Sequence, residues 1–157
     1  MSRSGADLAQ LLLGGFRILA DQATAELTAR GYEEIHPAQE FALQAILSGT
    51  DNASDLGRRM SVSKQAAAKT IAALEERNYV AREPDPADKR RMRLYVTGHG
   101  LAMLREGEEI FDKLRGQWEQ AVGAGPLAQV EATLRQLVGN DGGRLDTPAW
   151  LARGLEE

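Results

Sequence analysis

SDLGRRMSVSKQAAAKTIAALEERNYVAREPDPADKRRMRLYVT, residues 54–97, decides how this chain folds. A short helix is predicted from about Ala53 to Met60, followed by the turn Ser61-Val62-Ser63. The Ala-rich run from Lys64 to Arg77 is a second helix, and Ser63 is a good N-cap for it because its oxygen can accept from the orphan first-turn amides. Asn78 stands where the chain must leave that helix, and Asn tolerates the left-handed conformation better than most residues. Tyr79-Val80-Ala81-Arg82 then reads as a strand, Glu83 to Arg91 as a turn-rich loop, and Met92 to Val96 as the alternating return strand. Two strands joined by so charged a loop make a ribbon, which cannot hold a fold alone.

The flanks are helical. From Ala6 to Arg30, Leu8, Leu11, Leu12, Phe16, Leu19, Ala23 and Leu27 recur at helical spacing, and Gly31 ends the run. His36-Pro37 starts a helix with Phe41, Leu43, Ile46 and Leu47 on its apolar face, ended by Gly49. Thr97 caps a long helix to about Val122. Gly123-Ala124-Gly125 should break it and Pro126 open another, which Asn140 to Gly143 would end; a last short helix is expected from Pro148 to Gly154. The apolar stripes of the terminal helices exceed what one small lobe can bury, which predicts a homodimer.

Composition narrows the function. The 157 residues suit one domain and carry a net charge of -4, a poor advertisement for a nucleic-acid binder. The distribution of charge says otherwise. From Leu56 to Val96 there are ten Lys and Arg against five Asp and Glu, a local +5, which leaves -9 for the rest. A charge run is ordinarily a solvated face. Here it coincides with a helix, a turn, a second helix and a ribbon, so it can neutralise phosphates while the flanks repel non-specific contact.

Residues 54–97 resemble the winged helix-turn-helix of the multiple antibiotic resistance regulator (MarR) family. Ser54–Met60 matches the first helix of the motif, Ser61–Ser63 the turn and Lys64–Arg77 the recognition helix. LEERNYV and EPDPADKRRMRLYVT match the wing, whose hallmark Asp-x-Arg is Asp88-Lys89-Arg90. Gly57 replaces a usual Ala, Ser61 a frequent Gly and Asn78 a usual Gly, each a chemically plausible exchange. The fold class implied is mainly α with a two-stranded β wing: a winged helix-turn-helix lobe over 37–97, flanked by dimerisation helices over 6–30 and 98–157, in one domain of 1–157. The resemblance also implies a triangular homodimer that reads a pseudo-palindromic operator in double-stranded DNA. A small-molecule effector, often an aromatic or phenolic acid, would sit between the dimerisation helices and the DNA lobe. Candidate pocket residues are Phe16, Arg17, His36 and Phe111, although His36 is better explained as the start of its helix.

The residue chemistry agrees. Ala66, Ala67 and Ala68 let a helix backbone approach a groove, while Ala67, Ile71 and Leu74 give the buried side. Lys64 and Gln65 lie at the helix N-terminus, where Gln can pair with adenine and Lys with guanine. Lys69 belongs to the same set, and Ser63 and Thr70 can contact phosphate. In the wing, Arg90 is placed to enter a narrow minor groove, with Asp88 bracing its guanidinium and Lys89 and Arg91 beside it.

Other functions find little support. There is no Cys, which removes thiol catalysis, disulfides and Cys-ligated zinc. His36 and His99 are too far apart in sequence to suggest a metal site, Glu75-Glu76 and Glu108-Glu109 read as solvated helix faces, and Gly98-x-Gly100 is too short for a phosphate loop. No catalytic residue, cofactor or metal is expected. With no apolar run of membrane-spanning length and no clean signal peptide, a cytoplasmic protein without membrane partners is expected. A protein-interaction module that has lost DNA binding, and a DNA binder without an effector, are the rival readings.

Overall fold

In the computed structural model, which describes residues 4–139, the chain runs α1 (Gly5–Ala29), α2 (Pro37–Leu47), α3 (Ala53–Met60), α4 (Lys64–Glu76), β1 (Val80–Pro84), β2 (Met92–Val96), α5 (Gly98–Val122) and α6 (Ala124–Val138). The fold is mainly α with a two-stranded antiparallel wing, as the sequence predicts. The residues expected to form a last helix, and those expected to end α6, lie outside the described residues.

Four helices stop by one device. After α1, Gly31 (φ 93°) lets Tyr32 N–H reach the Leu27 carbonyl at 3.1 Å. Gly49 (φ 111°) does the same for Thr50 and Ala45, Ser61 (φ 55°) for Val62 and Gly57, and Asn78 (φ 60°) for Tyr79 and Leu74. Each closure satisfies carbonyls that a helix end leaves orphaned. This explains one difference from expectation: Tyr79 belongs to the end of α4, so β1 begins at Val80 and extends to Pro84, opposite Met92. A second difference lies at the α5–α6 junction. Gly123 alone (φ 96°) makes the break, and Pro126 is the third residue of α6, where its missing N–H is not required.

The lobe from α2 to β2 has its own core. Leu43, Leu56, Ala67, Ile71, Leu74 and Tyr79 are fully buried there, joined by Ile46, Met60, Val80, Leu94 and Met103. A smaller cluster of Ala23, Ile110 and Leu114 holds α1 against α5, and Leu27 packs on both. Gly100 sets how closely α5 approaches the lobe: a Cβ there would stand 2.3 Å from the Tyr79 carbonyl oxygen, so only glycine fits. Arg115 ties α5 to α6 through Glu131 at 2.6 Å. Part of the terminal helices stays uncovered in the single chain. Leu11 on α1 is 74% exposed and Leu137 on α6 is 76% exposed, with Leu8, Ile18, Val130 and Val138 also exposed. Among the described residues no helix is long and apolar enough to cross a membrane.

Candidate nucleic-acid interface

The faces of α4 are sorted as its spacing dictates. Ala67, Ile71 and Leu74 are buried, while Lys64, Gln65, Ala68 and Lys69 are exposed and Ala66 and Thr70 are half-buried. Ser63 caps the helix, its hydroxyl oxygen accepting from Ala66 N–H at 3.0 Å, which leaves the hydroxyl proton free to donate. Thr70 is committed differently, donating to the Ala66 carbonyl at 3.1 Å. The α3–α4 turn is tight because residue 57 is glycine: a Cβ there would lie 3.0 Å from the Val62 carbonyl oxygen and 3.2 Å from that of Ser63.

The ten basic residues between Leu56 and Val96 divide into two sets. Arg58 pairs with Asp55, Arg77 with Glu33 at 3.4 Å, Arg82 with Glu75 at 3.0 Å, Arg93 with Glu83 at 2.6 Å and, more loosely, Arg91 with Asp51 at 4.0 Å. Arg59, Lys64, Lys69, Lys89 and Arg90 have no acidic partner among the described residues, and all five are exposed. They lie at the end of α3, along the open face of α4 and at the tip of the wing. Arg59 is the residue that motif reading overlooks. It appears in the charge count, but only its lack of a partner singles it out.

The tip of the wing is shaped by its aspartates. Asp85 Oδ1 accepts from Ala87 N–H at 2.9 Å, Asp88 Oδ1 accepts from Arg90 N–H at 3.0 Å, and Asp85 N–H closes the loop onto the Arg91 carbonyl at 2.8 Å. Asp88 therefore braces the backbone of Arg90 and not its guanidinium. The expected carboxylate–guanidinium pair gives way to a local turn, which a short Asp side chain forms readily. Lys89 and Arg90 project from a loop held by side-chain-to-backbone bonds.

Comparison with known proteins shows what this geometry is similar to. Residues 35–91 match the family model described as MarR family. The winged helix-turn-helix segment is similar to the MarR family. Among solved structures, the fold matches RV1404 from Mycobacterium tuberculosis (17% identity, TM-score 0.69, 90% of this chain and 97% of that one). It also matches transcriptional regulator Tm0710 from Thermotoga maritima (22%, 0.61, 87% and 94%). A third match is a MepR mutant of S. aureus bound to an oligodeoxyribonucleotide (17%, 0.60, 87% and 97%). No curated protein matches the chain. The fold shared with these structures thus spans α1 to α6, beyond the segment that the family model matches.

A cavity of about 180 Å³ opens between α1, α2 and α5. Of the four residues expected in an effector pocket, Phe111 lines it. Phe16 and Arg17 are exposed on α1, and His36 caps α2, its backbone N–H donating to Gln39 Oε1 at 3.0 Å. Sequence spacing did not single out Glu40, Gln44 or Gly107, which also line the cavity. No lining residue is basic, so nothing there offers a counter-charge to the aromatic acids that the family resemblance implied. Among the described residues no cluster of three His, Asp or Glu could hold a metal ion.

The α1–α2 loop joins this cavity to the end of α4. Glu106, next to the lining residue Gly107, accepts from Arg30 at 3.1 Å and from the Tyr32 hydroxyl at 3.0 Å. The Arg30 guanidinium, then the Tyr32 hydroxyl, hold its carboxyl below the usual range. On the other side Glu33 pairs with Arg77, and its carbonyl accepts from the buried Tyr79 hydroxyl at 2.9 Å. His99, which carried no assigned role in the sequence, stacks on both Tyr32 and Tyr79 with centroid separations of 5.4 and 5.1 Å.

Proposed function

We propose that this chain is a homodimeric transcriptional regulator, a repressor that binds a pseudo-palindromic operator in double-stranded DNA and is released by a small molecule. The observation that carries the reading is the sorting of charge: five of the ten bases are held by carboxylates, and the five left unpaired among the described residues lie at the end of α3, on the open face of α4 and at the tip of the wing. α4 enters the major groove, where Lys64 and Gln65 read base edges and Ala66 permits close approach. Ser63, Lys69 and Thr70 meet phosphates, Thr70 by turning its hydroxyl away from Ala66. The wing follows the backbone, with Arg90 in the minor groove, Lys89 and Arg91 beside it, and Asp88 setting the loop.

Dimerisation follows from the uncovered apolar residues of α1 and α6, which a second copy buries while fixing the spacing of two half-sites. Effector release is supported by the cavity and by the Glu106–Tyr32–Glu33–Arg77 contacts that run from its edge to the end of the recognition helix. Regulation requires a ligand to favour one arrangement of these contacts over another. An electrophoretic shift on the gene's own upstream DNA, with and without candidate small molecules, tests the whole reading. A specific complex dissolved by a ligand is expected. A complex that no ligand affects leaves a constitutive DNA binder, and no specific complex at all leaves an interaction module.

A further inference from the structure

We propose that the cavity between α1, α2 and α5 is built for a small organic cation: a protonated amine carrying one aromatic ring. The inference rests on the effector-pocket reading above and adds the chemical class of ligand. Size is the first constraint. A cavity of about 180 Å³ is slightly larger than the roughly 150 Å³ that accommodates benzene in an engineered protein. Its walls suit a ring, with Leu27, Met103 and Phe111 among them.

Charge is the second constraint. The ionisable groups lining the cavity are Glu40, on α2, and Glu108, on α5. The half-buried Glu40 carboxylate makes no ion pair or hydrogen bond among the described residues, and burial pushes its carboxyl above the usual range. Of the bases on the neighbouring helices, Arg17 and Arg105 do not line the cavity, and the others are engaged by carboxylates. Arg30 is held by Glu106 and Lys113 by Glu26, at 3.1 and 2.5 Å. An aromatic acid entering here adds a negative charge beside Glu40 with no cation to meet it, an arrangement that rejects ligands strongly. An ammonium does the reverse. It supplies the missing partner of a desolvated carboxylate in a charge-assisted hydrogen bond. Gln44 and Thr24 line the same cavity as further acceptors, and the face of Phe111 attracts a cation.

The test uses the full-length protein without DNA and three probes of nearly equal shape: 2-phenylethylamine, phenylacetate and 2-phenylethanol. Isothermal titration at pH 7 is expected to show the amine binding at least about tenfold more tightly than the alcohol, and phenylacetate binding most weakly. Glu40→Gln keeps the shape and removes the charge. It should weaken the amine about 10- to 100-fold and leave the alcohol nearly unchanged. Gly107→Ala is the second variant. Its Cβ would sit 3.9 Å from Leu27 Cδ1, an ordinary contact, so the protein folds and the cavity narrows. Both the amine and the alcohol should then lose affinity. The proposal is overturned if phenylacetate binds as tightly as the amine, if none of the three binds at millimolar concentration, or if the preference for the amine survives in Glu40→Gln. The two layers fail separately. An amine that binds selectively yet leaves operator affinity unchanged refutes the effector reading alone. Release of the operator by an acid that also occupies the cavity refutes the ligand class alone.

Discussion

Lys69→Ala and Arg82→Ala each remove one positive charge from the basic segment, yet they should change DNA binding in different ways. Lys69 is exposed on α4 with no acidic partner among the described residues. Arg82 donates Nε and Nη2 to Glu75 at 3.1 and 3.0 Å, so its charge is already satisfied. Five unpaired bases per protomer make ten in a dimer. If each of these charges displaces one condensed counterion, whether it meets a phosphate or lies in a groove beside one, log affinity falls with log salt at a slope of about −9, or about 10⁵-fold between 50 and 200 mM. Lys69→Ala removes two of the ten contacts. The slope should relax to about −7 and the loss over that range to about 10⁴-fold. Arg82→Ala should leave the slope near its wild-type value and change stability by no more than about 1 kcal/mol, because the pair is surface-exposed. Fluorescence anisotropy of a labelled operator duplex across this salt range measures both slopes. Equal changes for the two variants would show that ion pairing within the lobe does not select the phosphate contacts, and the sorting argument would fail.

Gln65→Ala should cost about 1–3 kcal/mol on the best operator and relax base preference, as a competition titration would show. Arg90→Ala should weaken binding most on operators with A/T-rich flanks, and Asp88→Ala should do the same more mildly by loosening the loop; equal losses on all flanks would make Arg90 a plain phosphate contact. Ser61→Gly should stabilise the fold by about 0.5–1 kcal/mol in denaturant unfolding, since a left-handed residue with a Cβ costs about 1–2 kcal/mol and glycine returns part of that in entropy. Asn78→Gly should gain less, because Asn tolerates that conformation. Glu40 supplies a pH test. Its raised carboxyl binds the proton more tightly in the folded chain than in the unfolded one, so stability falls as pH climbs from the ordinary carboxylate value through the raised one. Glu40→Gln should therefore melt higher than wild type at pH 7, and the gain should vanish below about pH 4, where both states hold the proton. A gain independent of pH would contradict the cause.

Much of the fold was legible because it is local. The buried face of α4 follows from the spacing of Ala67, Ile71 and Leu74, and Gly31, Gly49 and Asn78 mark helix ends by their tolerance of positive φ. The basic surface was legible as a region, but not which of its bases are left without a carboxylate partner. Whether a base is free to meet phosphate depends on partners distant in sequence, such as Glu33 for Arg77 and Asp51 for Arg91, and no periodicity announces them. Arg59 was overlooked for that reason. Asp88 was recognised but given a guanidinium to hold, when a two-residue reach favours the backbone. The cavity was the least legible part, since it forms where α1 and α5 meet across some eighty residues of chain.

The central claim is that two copies of this chain place two α4 helices on one face of a DNA duplex. Hydroxyl-radical footprinting on the gene's upstream DNA tests it most directly. The account predicts two protected patches related by a dyad, their centres about 10 base pairs or a multiple apart, with further protection where each wing meets the flanking minor groove. A single protected patch, or uniform weak protection without a dyad, would contradict it.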